Sequence, residues 1–508
     1  MISALTGPGD ILPASSANFG DKTALITAPL TLSYTELEDI SARVAGGLRD
    51  LGVKEGDVVS LFSPNRWEWI VAYHAVLRLG AVVNPINGML TLEEVRFILK
   101  DCEAVAILTT ADNAQDIAAH ADPGLALQHI ISFDPEDSGL VTFDSLIRAA
   151  RIEENVVVDP LATSTIGYTS GTTGHPKGAE QSHRAVLLNC AMTATMHART
   201  DRDVVVTGLP TPHVYGNVSV NSTFMAGGTV VLMDRFDAPK ALGLIEKHSA
   251  TMIEGVPAMY SMMLADPAIE AHDLSSLTRS TVGGQTIATS TVEAWQNITG
   301  ARLIELWGMT EVAGLGATHS VYAPPVPGSI GVSLPGVELR IANLDDVTRE
   351  AERGTPGELM VRGPIVMNGY YRNPVETKKN IESDGWLHTG DIARMDDTGH
   401  VFIVDRRKDM IITAGYNVYP AEIERVVAGH PAVALVAVGP LPDEVRGELA
   451  CAYVVLKHGT SVTEEELINF TKDHLAPYKR PRLIKFVKSL PQTSTGKIMR
   501  RKLADASP

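Results

Sequence analysis

The residues best suited to chemistry lie in one stretch, 166–178, which reads Ile-Gly-Tyr-Thr-Ser-Gly-Thr-Thr-Gly-His-Pro-Lys-Gly. Its glycines allow the backbone to adopt positive φ angles and to turn several N–H groups toward one point. The serine and threonine hydroxyls add hydrogen-bond donors, and Lys177 adds a positive charge. Because such donors suit an anion with many oxygen atoms, we expect this stretch to bind a polyphosphate.

The elements on either side must hold this stretch at the edge of a sheet. Residues 164–168 have the pattern of a strand and residues 182–190 that of a helix, which is the usual context of a phosphate-binding loop. The spacing differs from that of the P-loop NTPases, because Pro176 precedes Lys177 and Gly178 follows it where serine or threonine is required. A different class of phosphate loop is therefore expected.

Three later segments have patterns suited to binding a nucleotide. Residues 280–286 form a predicted strand that ends in Gly283 and Gly284, and glycines at a strand end permit close approach of a flat ligand. Residues 306–311 combine an aromatic side chain with a carboxylate, and residues 385–391 end in an aspartate. An aromatic ring can stack on a purine, and carboxylates can accept hydroxyl groups or bind a hard cation.

Together these motifs resemble those of the adenylate-forming enzymes, the family that includes acyl-CoA synthetases, nonribosomal peptide adenylation domains and firefly luciferase. Residues 168–178 match the signature loop of the family, and residues 387–391 match its Thr-Gly-Asp motif. Residues 306–311 resemble its Tyr-Gly-x-Thr-Glu motif with tryptophan in place of tyrosine, and residues 490–498 match its final motif. The resemblance covers nearly the whole chain and is greatest to a stand-alone acyl-CoA synthetase.

The resemblance implies roles for particular residues. Those implied to bind ATP or AMP are Thr169, Ser170, Gly171, Thr172, Thr173, Gly174, Lys177, Gly284, Gln285, Thr286, Trp307, Gly308, Met309, Thr310, Asp391 and Arg406. The implied catalytic residues are Thr169, Lys177, Glu311 and Lys497, and the implied ligands of the Mg²⁺ that accompanies ATP are Thr169 and Glu311.

The resemblance also implies a pocket for the acyl group and a site for the acceptor. The acyl pocket is implied to contain His213, Val214, Tyr215, Asn217, Gly283 and Gly314. Pro212 departs from the family, which usually has an aromatic residue before this histidine, and the departure affects the pocket rather than the chemistry. Lys408 is the implied hinge, and Gly415 and Tyr416 belong to the implied coenzyme A site.

The order of strand and helix patterns predicts the fold class. Residues 58–62 are predicted as a strand, residues 67–79 as a helix and residues 81–85 as the next strand. Such alternation indicates a parallel sheet with helices on its faces. Residues 134–159 are irregular and acidic, and residues 328–371 show an all-β pattern that resembles the small distorted barrel of the family.

A chain of 508 residues is too long for one hydrophobic core, so at least two domains are expected. The resemblance implies an α/β fold with a large N-terminal AMP-binding domain, residues 1–405, composed of two packed α/β subdomains and the small barrel. A small mobile α+β C-terminal domain, residues 406–508, is implied to follow. Its last part, 476–508, is basic, with nine lysine or arginine residues and one acidic residue.

Composition excludes several classes of function. The formal net charge of −17 argues against nucleic-acid binding, and no apolar run approaches the roughly 20 residues that span a bilayer. The three cysteines, Cys102, Cys190 and Cys451, show neither zinc spacing nor a disulfide framework. The N-terminus lacks the basic start and apolar core of a signal peptide. A cytoplasmic protein is therefore expected.

The resemblance implies a reaction in two halves, in which a carboxylic acid and ATP give an acyl adenylate and coenzyme A then takes the acyl group. Three alternatives remain: a ligase that loads an acyl carrier protein, a luciferase-like oxygenase and an adenylate-binding pseudoenzyme. Residues 213–233 and 281–287 contain no lysine or arginine, so a second substrate carboxylate would be buried without a partner. We therefore expect a fatty or aromatic monocarboxylate.

Overall fold

The computed structural model describes residues 5–120, 124–135, 139–169, 176–413, 416–443, 447–472, 474–491 and 498–505. The helices of the first part of the chain are α1 (Ile11–Phe19), α2 (Tyr34–Asp50), α3 (Trp67–Arg78), α4 (Leu92–Asp101), α5 (Ala111–Ala119) and α6 (Phe143–Ile147). Its strands are β1 (Thr23–Ile26), β2 (Thr31–Ser33), β3 (Val58–Ser63), β4 (Val82–Asn87), β5 (Ala106–Thr109), β6 (His129–Ser132) and β7 (Val141–Thr142).

The central part of the chain continues the alternation of strands and helices. Its strands are β8 (Thr163–Thr169), β9 (Lys177–Ser182), β10 (Val204–Thr207), β11 (Thr229–Leu232), β12 (Met252–Gly255), β13 (Arg279–Val282), β14 (Arg302–Met309) and β15 (Gly314–Thr318). Its helices are α7 (His183–Met196), α8 (Val214–Ala226), α9 (Ala238–His248), α10 (Pro257–Leu264) and α11 (Thr289–Thr299).

The last part of the chain is richer in strands. They are β16 (Val332–Ser333), β17 (Glu338–Ala342), β18 (Gly357–Arg362), β19 (Gly369–Tyr370), β20 (Leu387–Met395), β21 (Val401–Arg406), β22 (Ile411–Thr413), β23 (Tyr416–Val418), β24 (Val433–Asp443), β25 (Gly447–Leu456) and β26 (Leu483–Phe486). The helices are α12 (Pro374–Asn380), α13 (Pro420–Ala428) and α14 (Glu464–Lys472).

Two large mixed sheets form the first two layers of the molecule. One has eight strands in the order β19-β9-β8-β4-β3-β5-β6-β7, and the other has nine in the order β16-β15-β14-β13-β12-β10-β11-β1-β2. The interior strands run parallel, whereas β9, β19, β15, β16 and β2 are antiparallel additions toward the edges. The predicted strand, helix and strand at 58–85 are confirmed as β3, α3 and β4, and the sheet interiors are parallel as expected.

Local sequence signals explain where several helices begin. Ser33 caps α2, because its hydroxyl accepts a hydrogen bond from the Glu36 N–H at 3.2 Å while the Glu36 carboxylate accepts one from the Ser33 N–H. Thr91 and Glu94 form the same reciprocal pair at the start of α4. Such capping boxes satisfy backbone N–H groups that a helix leaves unpaired at its first turn.

Strand β9 lies between the predicted phosphate loop and the helix predicted at 182–190, which is confirmed as α7. Thr169 at the end of β8 pairs with Lys177 at the start of β9, and α7 begins only at His183. The positive end of α7 therefore lies at the far end of β9, away from the loop. The prediction of an irregular segment at 134–159 was wrong in part, because β7 and α6 lie within it.

The all-β stretch at 328–371 is divided among three sheets. β17 and β18 join β20 and β21 in a four-stranded antiparallel sheet, whereas β16 extends the nine-stranded sheet and β19 extends the eight-stranded one. The expected β content is confirmed, and its strands tie the small sheet to both large ones.

A further five-stranded sheet, formed by β22 to β26, has its own hydrophobic core against α13 and α14. It begins five residues after β21 ends, so the boundary expected at 405 falls at the last residues of β21. Among the described residues, no helix is both long and apolar enough to cross a membrane.

Candidate active site

A cleft of about 2330 Å³ is lined by residues from all four sheets. Thr169 comes from the eight-stranded sheet, Trp307 from the nine-stranded one, Asp391 from the four-stranded one and Val436 from the five-stranded one. Thr169 and Trp307 both lie at or near the carboxyl ends of their strands. This is where open α/β sheets bind their ligands.

Most of the predicted site residues that the structure describes meet in this cleft. Those lining it are Thr169, Lys177, His213, Val214, Asn217, Gly284, Gln285, Thr286, Trp307, Gly308, Met309, Thr310, Glu311, Asp391 and Arg406. Seven predicted residues lie outside the described residues: Ser170, Gly171, Thr172, Thr173, Gly174, Gly415 and Lys497. The side chains of Lys408 and Tyr416 are likewise outside the described part of the chain.

Three residues expected in the acyl pocket lie behind its wall. The side chain of Tyr215 is buried, and its hydroxyl lies 2.7 Å from the Thr281 hydroxyl. A Cβ on Gly283 would be 2.2 Å from Leu306, and one on Gly314 would be 2.5 Å from the Asn189 side chain. Tyr215, Gly283 and Gly314 therefore shape the pocket through packing and do not line the cleft.

Lys177, the first residue of β9, is fixed at the cleft by an acidic partner. Its Nζ lies 2.5 Å from the Glu376 carboxylate on α12 and 5.6 Å from the centre of the Tyr370 ring. The hydrogen bond from Lys177 lowers the pKa of Glu376. A polyphosphate bound here would share this cation with Glu376 or displace the carboxylate.

Glu311 is a carboxylate buried at the turn after β14, with only 7% of its surface exposed. The Tyr370 hydroxyl donates to its Oε1 at 3.0 Å, and burial raises the pKa of Glu311. A buried carboxylate is stabilised in its ionised form by a nearby cation. Among the described residues no three His, Cys, Asp or Glu side chains cluster as a metal site, but Mg²⁺ normally uses one or two protein oxygens plus phosphates. Glu311 and Thr169 fit that requirement.

Asp391 is held from two sides where three strands meet. The Trp307 indole N–H donates to Asp391 Oδ2 at 2.8 Å, and Arg406 Nε lies 3.4 Å from Oδ1. Asp391 and Arg406 are also direct neighbours across β20 and β21. Trp307 is 8% exposed and belongs to the adjoining hydrophobic core. It therefore packs in the core and also orients the Asp391 carboxylate.

The wall at the end of β13 requires glycine. Gly284 has a φ of +87°, a backbone conformation that residues other than glycine rarely adopt. Its neighbour Gly283 is packed so closely against Leu306 that a Cβ would overlap that side chain. Close approach of a flat ligand at this strand end stays a prediction.

His213 caps α8, because its Nδ1 accepts a hydrogen bond from the Tyr215 N–H at 3.3 Å. Behind this turn lies a buried charge that sequence reasoning missed: Arg199 pairs with Glu254, which also accepts a hydrogen bond from Thr281. Arg199 is paired and does not line the cleft, so it adds no charge beside the predicted acyl-pocket segments 213–233 and 281–287.

The segment after Lys497 also reaches the cleft, through residues 498–500. Arg500 lies 2.7 Å from Glu424, 3.0 Å from Asp409 and 3.8 Å from Asp405. Burial raises the pKa of Asp405 to about 6. These ion pairs attach the C-terminal segment to both sides of the predicted hinge.

Sequence reasoning missed several residues that support the site, namely Tyr73, Gln181, Tyr370 and Glu376. Tyr370 is separated from Glu311 by 59 positions and Glu376 from Lys177 by 199. No local spacing connects such partners, so no signal in the sequence could have identified them.

Comparison with known proteins agrees with the geometry of the cleft. The family of AMP-binding enzymes matches residues 12–371, and the AMP-binding enzyme C-terminal domain matches residues 422–497. The chain is 32% identical to a long-chain-fatty-acid–CoA ligase of Bacillus subtilis over 97% of this chain and 93% of the relative. It is 36% identical to a CoA ligase of Mycobacterium tuberculosis, named for a propanoyl group on a methyl-dioxo-octahydroindene ring, over 96% of each chain.

Solved structures agree over almost the full length. The anthranilate CoA ligase AuaEII, in complex with anthranoyl-AMP, has a TM-score of 0.92 at 26% identity and covers 99% of this chain and 98% of its own. ATP-bound MatB from Rhodopseudomonas palustris has a TM-score of 0.90 at 30% identity and covers 98% of each chain. Because the family model matches residues 12–371 and the solved structures agree over almost the full length, the chain belongs to the AMP-binding enzyme family.

Proposed function

We propose that this protein is an AMP-forming acid–thiol ligase that uses ATP to convert a carboxylic acid to an acyl adenylate and then transfers the acyl group to coenzyme A. The observation that carries the proposal is the convergence of Lys177, Glu311 and Asp391 on one cleft. A nucleoside triphosphate needs a cation for its phosphates, a carboxylate for its Mg²⁺ and an acceptor for its ribose hydroxyls, and these three residues can provide them. Relatives named as CoA ligases support the choice of acceptor.

In the first half-reaction, a carboxylate oxygen of the acid attacks the α-phosphorus of ATP and pyrophosphate leaves. Lys177 exchanges its contact with Glu376 for phosphate oxygens, and Asp391 accepts the ribose hydroxyls while Trp307 stacks on the adenine. Attack of one anion on another requires positive charge where negative charge accumulates. Mg²⁺, held by Thr169 and Glu311, would supply further charge to the phosphates.

In the second half-reaction, the thiol of coenzyme A attacks the carbonyl carbon of the acyl adenylate and AMP leaves. We assign this step to a rotation of residues 406–508 against residues 1–405 about Lys408. Lys497 serves adenylation and then withdraws, while Gly415 and Tyr416 approach the cleft in which the thiol attacks. Domain rotation of this kind lets one cleft serve two chemistries in turn.

The acyl substrate is a monocarboxylate with a fatty or ring-bearing body. The Bacillus subtilis relative is named for long-chain fatty acids, whereas the Mycobacterium tuberculosis relative and AuaEII are named for ring-bearing acids. The predicted acyl-pocket segments 213–233 and 281–287 contain no lysine or arginine, which favours a substrate without a second carboxylate, since that group would be buried without a partner.

The test is pyrophosphate release across a panel of carboxylic acids, followed by thioester formation with coenzyme A or with an acyl carrier protein. We expect activity with monocarboxylates and transfer to coenzyme A. Asp391→Asn should reduce pyrophosphate release, whereas Asp397→Asn, the same change on an exposed turn of the same region, should not. Thioester with the carrier protein alone would favour the carrier ligase, and light emission from the adenylate and oxygen would favour the luciferase-like alternative.

A further inference from the structure

The inner part of the cleft follows strand β8 away from the phosphate loop. Thr165, Gly167 and Thr169 alternate along β8 and all line the cleft. A strand rises about 3.3 Å per residue, so Thr165 lies about 13 Å inward from Thr169. The cleft therefore offers an acid whose carboxylate is activated near Thr169 a path for its far end toward Thr165.

This inner end is polar, although it is buried. Tyr73 and Gln181 are each 2% exposed, Thr165 is 5% exposed, and all three line the cleft together with Asn217. Thr165 and Gln181 are direct neighbours across β8 and β9. We call these four residues the polar floor. None of them carries a charge, so the floor suits a neutral group.

The hydrogen bonds within the polar floor leave donors for a ligand. The Tyr73 hydroxyl donates to Asn217 Oδ1 at 3.2 Å, and Asn221 Nδ2 donates to the same oxygen at 3.1 Å. Among the residues that the structure describes, every hydrogen bond of the Asn217 side chain thus uses its oxygen, and an asparagine amide has two further N–H donors. The Thr165 hydroxyl is already a partner of the Tyr73 hydroxyl, so the Asn217 amide is the donor group that the floor offers to a ligand.

Asn217 is half-buried, so an apolar group against this floor would cover its amide and leave the donor without a partner, which is unfavourable. A carbonyl or hydroxyl oxygen could instead accept from the Asn217 amide. Near α8 the cleft is also lined by the apolar residues Pro210, Pro212 and Val214, with His213 between the last two, and the apolar surfaces suit the body of the same molecule. The pocket thus combines an apolar body region with polar groups at its inner end.

Building on the proposed ligase function, we infer that the polar floor recognises a keto or hydroxyl oxygen at the end of the acyl group distal to the carboxylate. The substrate class is therefore an oxygenated monocarboxylate rather than an acid with a plain hydrocarbon end. A site that hydrogen-bonds a substrate oxygen rejects the analogue that lacks it, because its own buried groups are then left unpaired.

The test compares two matched pairs of acids that differ in one distal oxygen. The ring pair is 3-(4-oxocyclohexyl)propanoate and 3-cyclohexylpropanoate, and the chain pair is 10-hydroxydecanoate and decanoate. We expect kcat/KM for pyrophosphate release to favour the oxygenated acid at least about tenfold in one pair or both. Tyr73→Phe and Asn217→Leu should each bring that ratio close to one, mainly by lowering kcat/KM for the oxygenated acid.

Tyr34→Phe is the matched control, since Tyr34 is fully buried and its hydroxyl donates to the Gly228 carbonyl at 2.6 Å, away from the cleft. It should lower thermal stability as Tyr73→Phe does but keep the wild-type ratio. If the wild-type kcat/KM ratio of oxygenated to plain acid were near one in both pairs, the inference that the polar floor recognises an oxygen would be wrong, and the ligase proposal would stand. The same conclusion would follow if Tyr73→Phe and Asn217→Leu left this ratio unchanged. Absence of pyrophosphate release with every acid would instead contradict the ligase proposal.

Discussion

Replacing Trp307 by phenylalanine removes one hydrogen bond from the nucleotide site while keeping an aromatic ring in the wall. The indole N–H donates to Asp391 Oδ2 at 2.8 Å, and both side chains are buried. A hydrogen bond to a charged group contributes about 1.5–3 kcal/mol. Because Arg406 still contacts the other carboxylate oxygen, we take the lower part of this range, which corresponds to about a tenfold loss.

The loss should appear in kcat/KM for ATP and not in KM for the carboxylic acid. Steady-state pyrophosphate release measures both constants. The reasoning also predicts weaker discrimination against 2′-deoxy-ATP in Trp307→Phe, because a less oriented Asp391 reads the ribose hydroxyls less well. A double-mutant cycle with Asp391→Ala, which removes both carboxylate oxygens, should give a coupling energy near that of the hydrogen bond.

Trp295→Phe is the control for this variant. Trp295 is fully buried, and its indole N–H donates to the Ser280 hydroxyl at 3.1 Å. Trp295→Phe therefore also removes a buried indole hydrogen bond, but outside the cleft. It should lower the melting temperature and leave KM for ATP unchanged. If Trp307→Phe changed only the melting temperature, or if its effect added to that of Asp391→Ala without coupling, the assignment of Trp307 as the residue that orients Asp391 would be refuted.

Three further predictions follow from individual side chains. Glu311→Gln should slow adenylation roughly tenfold or more at limiting Mg²⁺, with partial recovery at excess Mg²⁺, and a wild-type rate at limiting Mg²⁺ would exclude it as a ligand. Lys497→Ala should slow pyrophosphate release by a factor of about 10²–10³ but spare thioester formation from presynthesised acyl adenylate, whereas equal loss in both would contradict domain alternation. Burial raises the pKa of Glu305 to about 7, above the ordinary value of a glutamate. The unfolded chain therefore loses this proton more readily than the folded one, and the free energy of unfolding falls as pH rises from the ordinary glutamate pKa through 7. Glu305→Gln should therefore raise the melting temperature at pH 8 and not at pH 4, and an equal change at both values would argue against this charge effect.

The parts of the fold that local sequence patterns predict are those in which local and tertiary preferences agree. Strand β3 has a mostly apolar sequence interrupted by Ser60, and helix α3 is buried from Glu68 to Arg78. Both appear within a residue of the expected bounds. Strand β9 was missed because Lys-Gly-Ala-Glu-Gln-Ser has no strand pattern of its own. Its conformation is decided by pairing with β8 on one side and β19 on the other.

The candidate site likewise contains residues that the sequence could predict and residues that it could not. Motif residues such as Lys177, Glu311 and Asp391 could be identified because their neighbours in the chain form recognisable patterns, and all three line the cleft. Their supporting partners could not, because Tyr370 and Glu376 reach them across sheets and long stretches of sequence. Sequence spacing reports contacts within an element, whereas these contacts depend on how β19 and α12 pack.

Thr169 at the end of β8 pairs with Lys177 at the start of β9, and this pairing limits how far their backbone must move when a nucleotide binds. Directly paired residues on antiparallel strands have Cα atoms about 4.5–5.5 Å apart, whatever sequence connects them. A proposed Mg²⁺ ligand and a phosphate-binding cation are thus placed together by folding, so their ordering entropy is not lost again on binding. Substitutions in the connecting residues can consequently change nucleotide affinity without changing the spacing of these two groups. Because β9 also pairs with β19, the strand of Tyr370, the hydroxyl that holds Glu311 belongs to the same preorganised edge of the sheet.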